Sequence, residues 1–410
     1  MELRPAYKQS ELGVVPADWD VCNLGSVGEA LIGLTYSPSD VKPHGTLVLR
    51  SSNIQNDALA FDDNVYVDCE IAERIRVRSG DILVCVRNGS RSLIGKTALL
   101  DSRVEGMTFG AFMAVYRSDI GPLVKFLFQS EILKRQINEH LGATINQITN
   151  KSLNSFRIPL PPTERERVGI TAALNDVDSL LAALDRLIAK KRDVKQAAMQ
   201  QLLTGQTRLP GFQDEWEVKR LDEVADIRSG GTPSTNDPAC WDGDIAWCTP
   251  TDITALAGRK YLSSTTRRIT AHGLKQSSAE VIPAGSIVMT SRATIGECAI
   301  NAVPMTTNQG FKNFVPFEHI DAEFLYYLLS TQKAGFVSLC GGSTFLEIGK
   351  TQLRHYTVRL PSEKVEQAAI ATVLSDIDTE LIALEVRRDK TRALKQGMMQ
   401  ELLTGRTRLV

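Results

Sequence analysis

The sequence predicts an α/β (α+β) fold, with two pseudo-twofold-related mixed α/β domains separated by two long antiparallel coiled-coil helices. Three observations predict it. One stretch of the chain occurs twice, apolar residues within that stretch recur at heptad spacing, and the parts outside it combine strand-like and helical patterns. A chain of 410 residues also exceeds what one hydrophobic core normally holds, so at least two domains are expected.

The repeat organises the chain. Residues 160–209 align with residues 360–409 without a gap, nearly half of the aligned positions are identical, and both copies end on LLTG followed by TRL. Each copy is expected to fold as the same unit, so the repeat is considered before any other pattern. The predicted segments are a first α/β domain (1–157), a central helical spacer (158–209), a second α/β domain (210–357) and a C-terminal helical spacer (358–410).

Each copy of the repeat is predicted to be one long helix. Its apolar residues advance in steps of four and three, the spacing that buries one stripe of a helix against a second helix. Pro161 and Pro162 suit the start of the helix and Gly205 suits its end, which gives about 40 residues and roughly 60 Å. The residues predicted to pair the helices are Leu174, Val177, Leu181, Leu184, Leu374, Ile377, Leu381 and Leu384.

Charge predicts the direction of the pairing. The first half of each helix carries acidic residues such as Asp178 and Asp378, and the second half carries basic residues such as Lys195 and Lys395. Antiparallel packing brings acid against base, whereas parallel packing sets like charges side by side. Solvated faces that simply follow the helix dipole would give the same gradient, so the prediction depends on the heptads more than on the charges.

The parts outside the repeat are predicted to be mixed α/β. Strand-like runs are separated by polar loops rich in Gly, Ser, Thr, Asn and Arg, and such loops usually carry the residues that recognise a ligand. The predicted strands begin at Thr46, Asp81, Phe112, Ser286 and Phe311, and the predicted helical stretches begin at Gly121 and Asp321.

Composition excludes several classes of protein. Hydrophobic residues make up 43% and charged residues 23%, and no stretch resembles a signal peptide or a membrane span, so a cytoplasmic protein is expected. The seven cysteines include no CxxC pair and the five histidines share no ligand spacing, so no metal site is predicted. The net charge of -1 argues against a strongly basic DNA-binding protein, although local basic loops remain compatible with it.

No catalytic signature is present in the sequence. The chain lacks the GxxxxGK[ST] phosphate loop, the GxGxxG fingerprint, HExxH, GxSxG and a tetrapeptide like the Asn-Pro-Pro-Tyr of amino-methyltransferases. Glu217 and Lys219 could pass for half of a nuclease motif, but such triplets are common and no carboxylate is placed convincingly upstream. No catalytic residue is therefore predicted.

Four motifs together resemble the specificity subunit of type I DNA restriction and modification systems. They are YKQSELGVVPADWDVCNLGSV at Tyr7, LLTGQTRLPGFQDEWEVKRLDEVADIRSGGTPST at Leu202, SRATIG at Ser291 and MMQELLTGRTRL at Met398. The likeness covers the whole chain. It implies a non-catalytic, sequence-specific DNA-binding subunit, in which each domain recognises one half of a bipartite target and the antiparallel helices fix the spacing.

The resemblance also implies partners and cofactors. Two modification subunits, which bind S-adenosylmethionine and methylate adenine, would dock on the helices, and two ATP-driven restriction subunits could join them. This chain itself would hold no cofactor, since S-adenosylmethionine, ATP and Mg²⁺ are expected on the partner subunits. Two alternatives stay open: a targeting subunit of a complex with methyltransferase activity only, and a coiled-coil scaffold with two protein-binding domains or an unrecognised enzyme site.

Polar loop residues are the predicted DNA contacts. Arg can bind a guanine edge through two hydrogen bonds and Asn or Gln an adenine, whereas Ser, Thr and Lys more often hold phosphates. In the first domain the candidates are Arg87, Asn88, Ser90, Arg91, Lys96, Asn146 and Gln147, with Thr144 and Asn150 as further members. In the second domain they are Thr232, Ser234, Ser291, Arg292, Thr294, Asn308, Gln309 and Lys312.

Each of these residues could instead brace its own loop. Arg87 and Arg292 match across the two domains, and residues shared by two domains that bind different sequences are expected to touch the DNA backbone or hold structure. Base-specific residues are therefore expected where the two domains differ.

The second copy of the repeat predicts a contact through space. The segment that leads from Pro210 to Trp216 corresponds in register to the segment that ends at Trp19. The end of the chain, up to Val410, is therefore expected to lie near residues 1–19, so that both helix ends meet equivalent surroundings.

Overall fold

The computed structural model describes residues 7–143, 146–340 and 346–409, and it divides into two compact units. Unit 1 comprises Met1–Asp185 and Val386–Val410, and unit 2 comprises Arg186–Glu385. Each unit thus contains one α/β domain, the first part of the long helix that follows it and the last part of the other long helix. Within the described residues, no helix combines the length and the apolar character that crossing a membrane requires.

Small sheets form the scaffold of unit 1. Its strands are β1 (Tyr7–Ser10), β2 (Gly13–Pro16), β3 (Asp20–Asn23), β4 (Glu29–Ile32), β5 (Val41–Lys42), β6 (Thr46–Leu49), β7 (Ile54–Gln55), β8 (Ala58–Leu59), β9 (Tyr66–Val67), β10 (Ile82–Cys85), β11 (Thr97–Leu99), β12 (Thr108–Phe109), β13 (Met113–Arg117) and β14 (Arg157–Leu160). The main sheet is antiparallel with the order β11-β10-β13-β4, and a second sheet has the order β12-β6-β9-β5 with β12 and β6 parallel.

Strand β10 shows that the main sheet is covered on both faces. All four of its residues are buried, so it reads as a continuous apolar run instead of an alternating one. Ile82 and Val84 pack in one core, which includes residues of the helices, and Leu83 and Cys85 pack in a second core with residues of β6 and β12. The sheet therefore holds the loop after β10 on a rigid base.

The helices of unit 1 are α1 (Gly121–Gln129), α2 (Glu131–Ala143) and α3 (Asn150–Ser155), followed by the long α4 (Glu164–Leu202), whose residues from Arg186 onward belong to unit 2. The stretch predicted from Gly121 is thus two helices. Ser130 separates them because its backbone is extended (ψ 163°) and its hydroxyl donates to the carbonyl oxygen of Leu127 at 2.7 Å.

Unit 2 repeats this plan with one five-stranded and one three-stranded sheet. Its strands are β15 (Trp216–Arg220), β16 (Ala225–Ser229), β17 (Trp241–Cys248), β18 (Tyr261–Leu262), β19 (Arg267–Ile269), β20 (Ile287–Thr290), β21 (Cys298–Asn301), β22 (Thr306–Thr307), β23 (Phe311–Pro316) and β24 (Thr357–Pro361). The sheet orders are β16-β23-β20-β21-β18 and β19-β17-β22, and the pair β15-β24 stands alone. The pairs β17 with β22 and β18 with β21 are parallel.

The helices of unit 2 are α5 (Leu221–Val224), α6 (Pro250–Ala255), α7 (Ala271–Lys275), α8 (Ala322–Thr331), α9 (Lys333–Ser338), α10 (Lys350–His355) and the long α11 (Lys364–Leu402), which enters unit 1 at Val386. The stretch predicted from Asp321 is two helices that meet at Gln332. The predicted strands are present, but the one predicted from Phe112 begins at Met113, which leaves Phe112 in a loop.

Within each unit the two long helices run antiparallel. In unit 1, Lys395 of α11 donates to Asp178 of α4 at 2.6 Å, and Lys125 of α1 donates to the same carboxylate at 2.9 Å. In unit 2, Lys195 of α4 lies 2.6 Å from Asp378 of α11. Residues near the start of one helix thus meet residues near the end of the other, and the predicted antiparallel packing is confirmed.

Apolar residues bury the ends of the helices in the domain cores. Leu174 packs in the core of unit 1 together with Met399 and Leu402 of α11. Leu374 packs in the core of unit 2 together with Leu202 of α4. Of the remaining residues of the predicted stripe, Leu184 and Leu381 are buried and the other four, Val177, Leu181, Ile377 and Leu384, are half-buried.

One arginine of the repeated TRL motif fixes each helix end. In unit 2, Arg208 donates to the two oxygens of Glu366 at 2.6 and 2.8 Å. In unit 1, Arg408 donates to both oxygens of Glu166 in the same way. Both glutamates stand in the first turn of a long helix, where the helix dipole favours a carboxylate.

In unit 2 the chain itself leads from the end of α4 into the α/β domain. In unit 1 the end of α11 meets the domain through contacts between residues that are far apart in the sequence. Arg408 also donates to Asp18 at 2.9 and 3.0 Å, and these hydrogen bonds hold the pKa of that carboxyl below its usual value. Gly405 has a φ of +70°, and a Cβ atom there would lie 2.4 Å from Cγ of Pro16, so only glycine fits. The predicted proximity of the chain end to the segment before Trp19 is confirmed for these residues, while Val410 and residues 1–6 lie outside the described part.

Candidate nucleic-acid interface

The predicted DNA contacts of unit 1 converge where β10 and β13 meet their loops. Backbone pairing joins Arg87 to Gln147, and the amide of Ile148 donates to the carbonyl oxygen of Val86 at 2.8 Å. The amide of Arg87 also donates to the carbonyl oxygen of Phe112 at 3.1 Å. We call the group Arg87, Asn88, Phe112, Asn146 and Gln147 surface 1.

Phe112 is the most unusual member of surface 1. Its side chain is 59% exposed, although a large apolar ring on a soluble domain is normally buried. The guanidinium carbon of Arg87 lies 5.1 Å from the ring centroid, within the range of a cation–π contact. Among the described residues no carboxylate forms an ion pair with Arg87, so the ring is the contact that this guanidinium makes there.

Three candidates in the loop after β10, namely Asn88, Ser90 and Arg91, have local structural partners. Asn88 accepts from the amide of Ser90 at 3.0 Å and donates to Ser51 at 3.3 Å. Arg91 donates to the carbonyl oxygen of Asn138 at 3.2 Å, and the Ser90 and Ser92 hydroxyls lie 2.9 Å apart. These contacts brace the loop after β10, so Arg91 points toward α2 instead of toward surface 1.

The candidates outside the loop after β10 differ in position. Asn146 is exposed and Lys96 is half-buried at the start of β11. Asn150 donates to the carbonyl oxygen of Ala30 at 2.8 Å and so ties α3 to β4. Thr144 lies outside the described residues.

Unit 2 presents an equivalent group of residues. The amide of Ser291 donates to the carbonyl oxygen of Gly310 at 2.7 Å, and the amide of Ile348 donates to the carbonyl oxygen of Ser291 at 3.1 Å. Backbone pairing joins Arg292 to Glu347, as it joins Arg87 to its partner in unit 1. We call the group Thr232, Arg292, Asn308, Gln309 and Glu347 surface 2.

The arginine of surface 2 is held by a carboxylate instead of a ring. Arg292 and Glu347 lie 3.0 Å apart, with their side chains 45% and 41% exposed. Gln309 is exposed and accepts a hydrogen bond from the hydroxyl of Thr232. Asn308 accepts from the amide of Gly310 at 2.8 Å, so it shapes the turn beneath Gln309.

The remaining candidates of unit 2 lie below or beside surface 2. Lys312 and Ser291 are buried, and among the described residues the amine of Lys312 has only long contacts, 3.5 Å to the Ser291 hydroxyl and 3.4 Å to the carbonyl oxygen of Phe311. Burial lowers the pKa of Lys312. Thr294 and Ser234 are exposed in neighbouring loops.

The two surfaces share one backbone frame. Met113 donates to the carbonyl oxygen of Gly110 in unit 1, as Phe311 donates to that of Asn308 in unit 2. Residues 111–112 therefore occupy the place of residues 309–310. This tip reads Ala-Phe in unit 1 and Gln-Gly in unit 2, so its exposed residues are Ala111 and Phe112 in one unit and Gln309 in the other.

The chemistry near the surfaces suits binding more than catalysis. Cys85 lies one residue before the start of the loop that carries Arg87, and burial raises the pKa of its thiol to about 11. Nucleophilic cysteines have a lowered pKa instead. The thiol of Cys85 is therefore protonated at neutral pH and packs as an apolar side chain.

One group of potential metal ligands is brought together in unit 2. Atoms of Asp237, Cys240 and His272 lie within 4.8 Å of one another, a cluster that their sequence spacing did not indicate. Asp237 accepts from the amide of Ala239 at 3.0 Å, and its other oxygen lies 3.5 Å from both the thiol and the imidazole. These contacts fix the turn that leads into β17.

Sequence reasoning missed two members of the surfaces. Phe112 was assigned to the start of a strand, and the only signal against this was the polar and small residues that precede it in TFGAF. Glu347 follows a segment without periodicity, and its pairing with Arg292 joins residues 55 positions apart, which no local pattern indicates.

Comparison with known proteins supports the repeat. The family model described as the type I restriction modification DNA specificity domain matches the chain twice, over residues 16–190 and 213–391. The MjaIX specificity subunit of a type I restriction enzyme from Methanocaldococcus jannaschii is 41% identical over 166 residues, which cover 40% of this chain and 38% of that protein. The MjaVIII specificity subunit from the same organism is 25% identical over 96% of this chain and 94% of its own length.

A solved structure shares the fold. It comes from work on the structural basis underlying complex assembly and conformational transition of the type I R-M system, and its chain superposes with a TM-score of 0.62. The match covers 95% of this chain and 99% of that chain at 20% identity. At this identity the likeness concerns the arrangement of strands and helices and leaves the recognised sequence open.

Proposed function

The chain belongs to the family of type I restriction modification DNA specificity proteins, and we propose that it supplies the DNA sequence specificity of such a complex. It is a non-catalytic recognition subunit. Surface 1 binds one half of a bipartite duplex target and surface 2 binds the other half. The long helices set the spacing of the two halves and dock the modification subunits.

One observation carries this proposal. The two surfaces share a backbone frame and an exposed arginine, but they differ in the side chains beside that arginine. Contacts to phosphates position a protein on duplex DNA, and contacts to base edges specify the sequence. A shared Arg87 or Arg292 suits the first task, and divergent residues at 111–112 and 309–310 suit the second. Two different half-sites then follow from one repeated fold.

The long helices suit a spacer. Each has 39 residues, which correspond to about 58 Å at 1.5 Å per residue. Half-sites one duplex turn apart, about 34–36 Å, face the same side of the DNA. A helix of this length is sufficient to set such a distance.

Exposed apolar residues on the long helices support docking of helices from partner subunits. Val194 of α4 and Leu394 of α11 occupy equivalent positions of the repeat and are 46% and 59% exposed. Leu180 and Leu187 continue the row of Val194 at steps of seven residues. Two equivalent docking positions suit two copies of one modification subunit, and two restriction subunits could join that assembly.

The partners would carry the chemistry. In this proposal S-adenosylmethionine is bound by the modification subunits, and ATP and Mg²⁺ by the restriction subunits, all in the cytoplasm where the DNA is. The same chain would also serve a complex with methyltransferase activity alone. The scaffold alternative, in contrast, requires no sequence preference for DNA.

The test is selection of bound duplexes from a random DNA pool, with the chain and the modification subunit that co-purifies with it. We expect two short constant segments separated by a gap of constant length. A double variant, Arg87→Ala with Arg292→Ala, should keep this target but bind all sequences more weakly, with a salt slope lower by about one, because Glu347 already compensates the charge of Arg292. Arg406→Ala, which alters an exposed arginine outside both surfaces, is the control. A pool without enrichment would contradict the proposal and favour the scaffold.

A further inference from the structure

We propose that the tip at residues 111–112 determines part of the first half-site, and that Phe112 contacts the C5-methyl group of a thymine there. The equivalent tip at residues 309–310 determines part of the second half-site through Gln309. This inference rests on the proposed function, since it assigns a task to one residue of surface 1. It adds Phe112, an apolar residue, to a set of candidates that were all polar.

The position of Phe112 carries the first step of the argument. The tip leads into β13, the strand that pairs with β10 and β4 in the main sheet, so it is supported by the rigid part of unit 1. Two backbone amides, those of Val86 and Arg87, donate to the carbonyl oxygen of Phe112 at 3.2 and 3.1 Å. The backbone of Phe112 is therefore fixed while its ring is 59% exposed. The ring is therefore accessible to an apolar group of a ligand, although a single exposed apolar residue is common on protein surfaces.

The comparison of the two units carries the second step. The shared arginine is packed on the ring of Phe112 in unit 1 and paired with Glu347 in unit 2. Gly310 takes the place of Phe112, so unit 2 has no side chain at this point and exposes Gln309 beside it. A residue needed only to build the fold would be expected in both units. Its presence in one unit indicates a task that belongs to one half-site.

The chemistry of the base edges selects the partner of Phe112. A phenyl ring has no hydrogen-bonding group, and the C5-methyl of thymine is the apolar group that the major groove displays. Gln309 can instead form two hydrogen bonds to an adenine edge. Arg87 lies against the ring and forms no ion pair among the described residues, so it reaches a phosphate beside the base that Phe112 contacts.

The experiment removes single methyl groups from the DNA. The target is first obtained by selection with the complex of the chain and its modification subunit. Each thymine of the first half-site is then replaced by uracil, which keeps the hydrogen-bonding pattern and lacks the methyl group. We expect one replacement to weaken binding of the unchanged protein about fourfold, the effect of one buried methyl group.

The variant Phe112→Ala links that effect to the residue. It should bind the thymine target as weakly as the unchanged protein binds the uracil target, and it should not respond to the replacement. Gln309→Ala is the matched control, because it should keep the uracil response and relax only the second half-site. Since Phe112 is exposed, its loss should leave the fold intact, and the uracil series on the unchanged protein tests the methyl contact without any variant.

Several results would overturn the inference. A first half-site without thymine would do so, as would equal binding of thymine and uracil duplexes by the unchanged protein. A variant Phe112→Ala that still responds to uracil, or that weakens binding equally on both duplexes, would show that the ring acts elsewhere, for example as a wedge between base steps. Failure of the proposed function itself is distinguishable, because selection would then yield no bipartite target at all.

Discussion

Replacing Arg408 by alanine should destabilise unit 1 by about 3 kcal/mol. Both oxygens of Glu166 accept hydrogen bonds from Arg408, and the Glu166 side chain is only 1% exposed. Removing one member of a buried ion pair costs about 3–5 kcal/mol, because the remaining charge is left uncompensated. The lower end applies here, since the Arg408 side chain is 26% exposed and water can enter the space that it leaves.

Tryptophan provides the assay. The chain has four tryptophans: Trp19 belongs to unit 1, and Trp216, Trp241 and Trp247 belong to unit 2. Labelling with 5-fluorotryptophan gives one fluorine NMR signal for each, so urea unfolding can be followed in both units at once. With an m value of about 2 kcal/mol per molar urea, Arg408→Ala should lower the midpoint of the Trp19 signal by about 1.5 M.

Two variants control this prediction. Arg406→Ala should shift the Trp19 midpoint by less than about 0.3 M, because the Arg406 side chain is 56% exposed and its nearest carboxylate oxygen is 3.8 Å away. Arg208→Ala, the mirror variant, should lower the Trp216 midpoint instead. If Arg408→Ala and Arg406→Ala gave the same small shift, the dependence of Glu166 on Arg408 would be refuted.

Three further changes test other parts of the structure. Asp178→Ala leaves two largely buried lysine amines without their counter-charge and should lower the free energy of unfolding by about 2–3 kcal/mol in the same titration. Glu380→Ala removes a carboxylate from a more exposed pair and should cost less than about 1 kcal/mol. Equal costs would argue against a stabilising role for the ion pairs of Asp178. Lys312→Met should stabilise unit 2 at pH 7 and remove a pH dependence of its stability. Burial lowers the folded-state pKa of Lys312 below its ordinary 10.5, so the unfolded state binds more protons between the two pKa values and the stability of the unchanged protein rises with pH there. Parallel profiles of stability against pH for the two proteins would contradict this. Glu347→Gln frees the charge of Arg292 and should tighten binding to non-specific duplex DNA. The slope of the logarithm of the binding constant against the logarithm of the salt concentration, measured by fluorescence anisotropy, should be steeper by about one. An unchanged slope would show that Arg292 does not reach a phosphate.

The helices could be predicted in detail because their determinants are local. The heptad spacing, the prolines before Glu164 and the glycine after Leu203 fix the bounds, and α4 indeed runs over Glu164–Leu202. The charge gradient gave the antiparallel direction, which the pairs Lys395 with Asp178 and Lys195 with Asp378 confirm. Each of these signals lies within one helix and appears twice in the chain.

The surfaces could be predicted only in part because their members come from distant segments. Arg87 and Gln309 were found because their residue types suit DNA and lie in polar loops. Phe112 was missed because its apolar ring extends the continuous apolar run of β13 by one residue, and only the tertiary fold shows that the strand begins at Met113. Lys312 was chosen for its charge although it falls in the strand predicted from Phe311, and it is buried in β23, which its residue type did not indicate.

The division of the chain between the units has a consequence for its synthesis. Unit 2 is one continuous stretch, Arg186–Glu385, and all of its residues are made before those from Val386 onward. Unit 1 must wait, because Trp19 and Leu174 share their core with Met399 and Leu402. The domain that is translated first is therefore completed last. Until Met399 and Leu402 have been made, the apolar core of unit 1 lacks part of its packing.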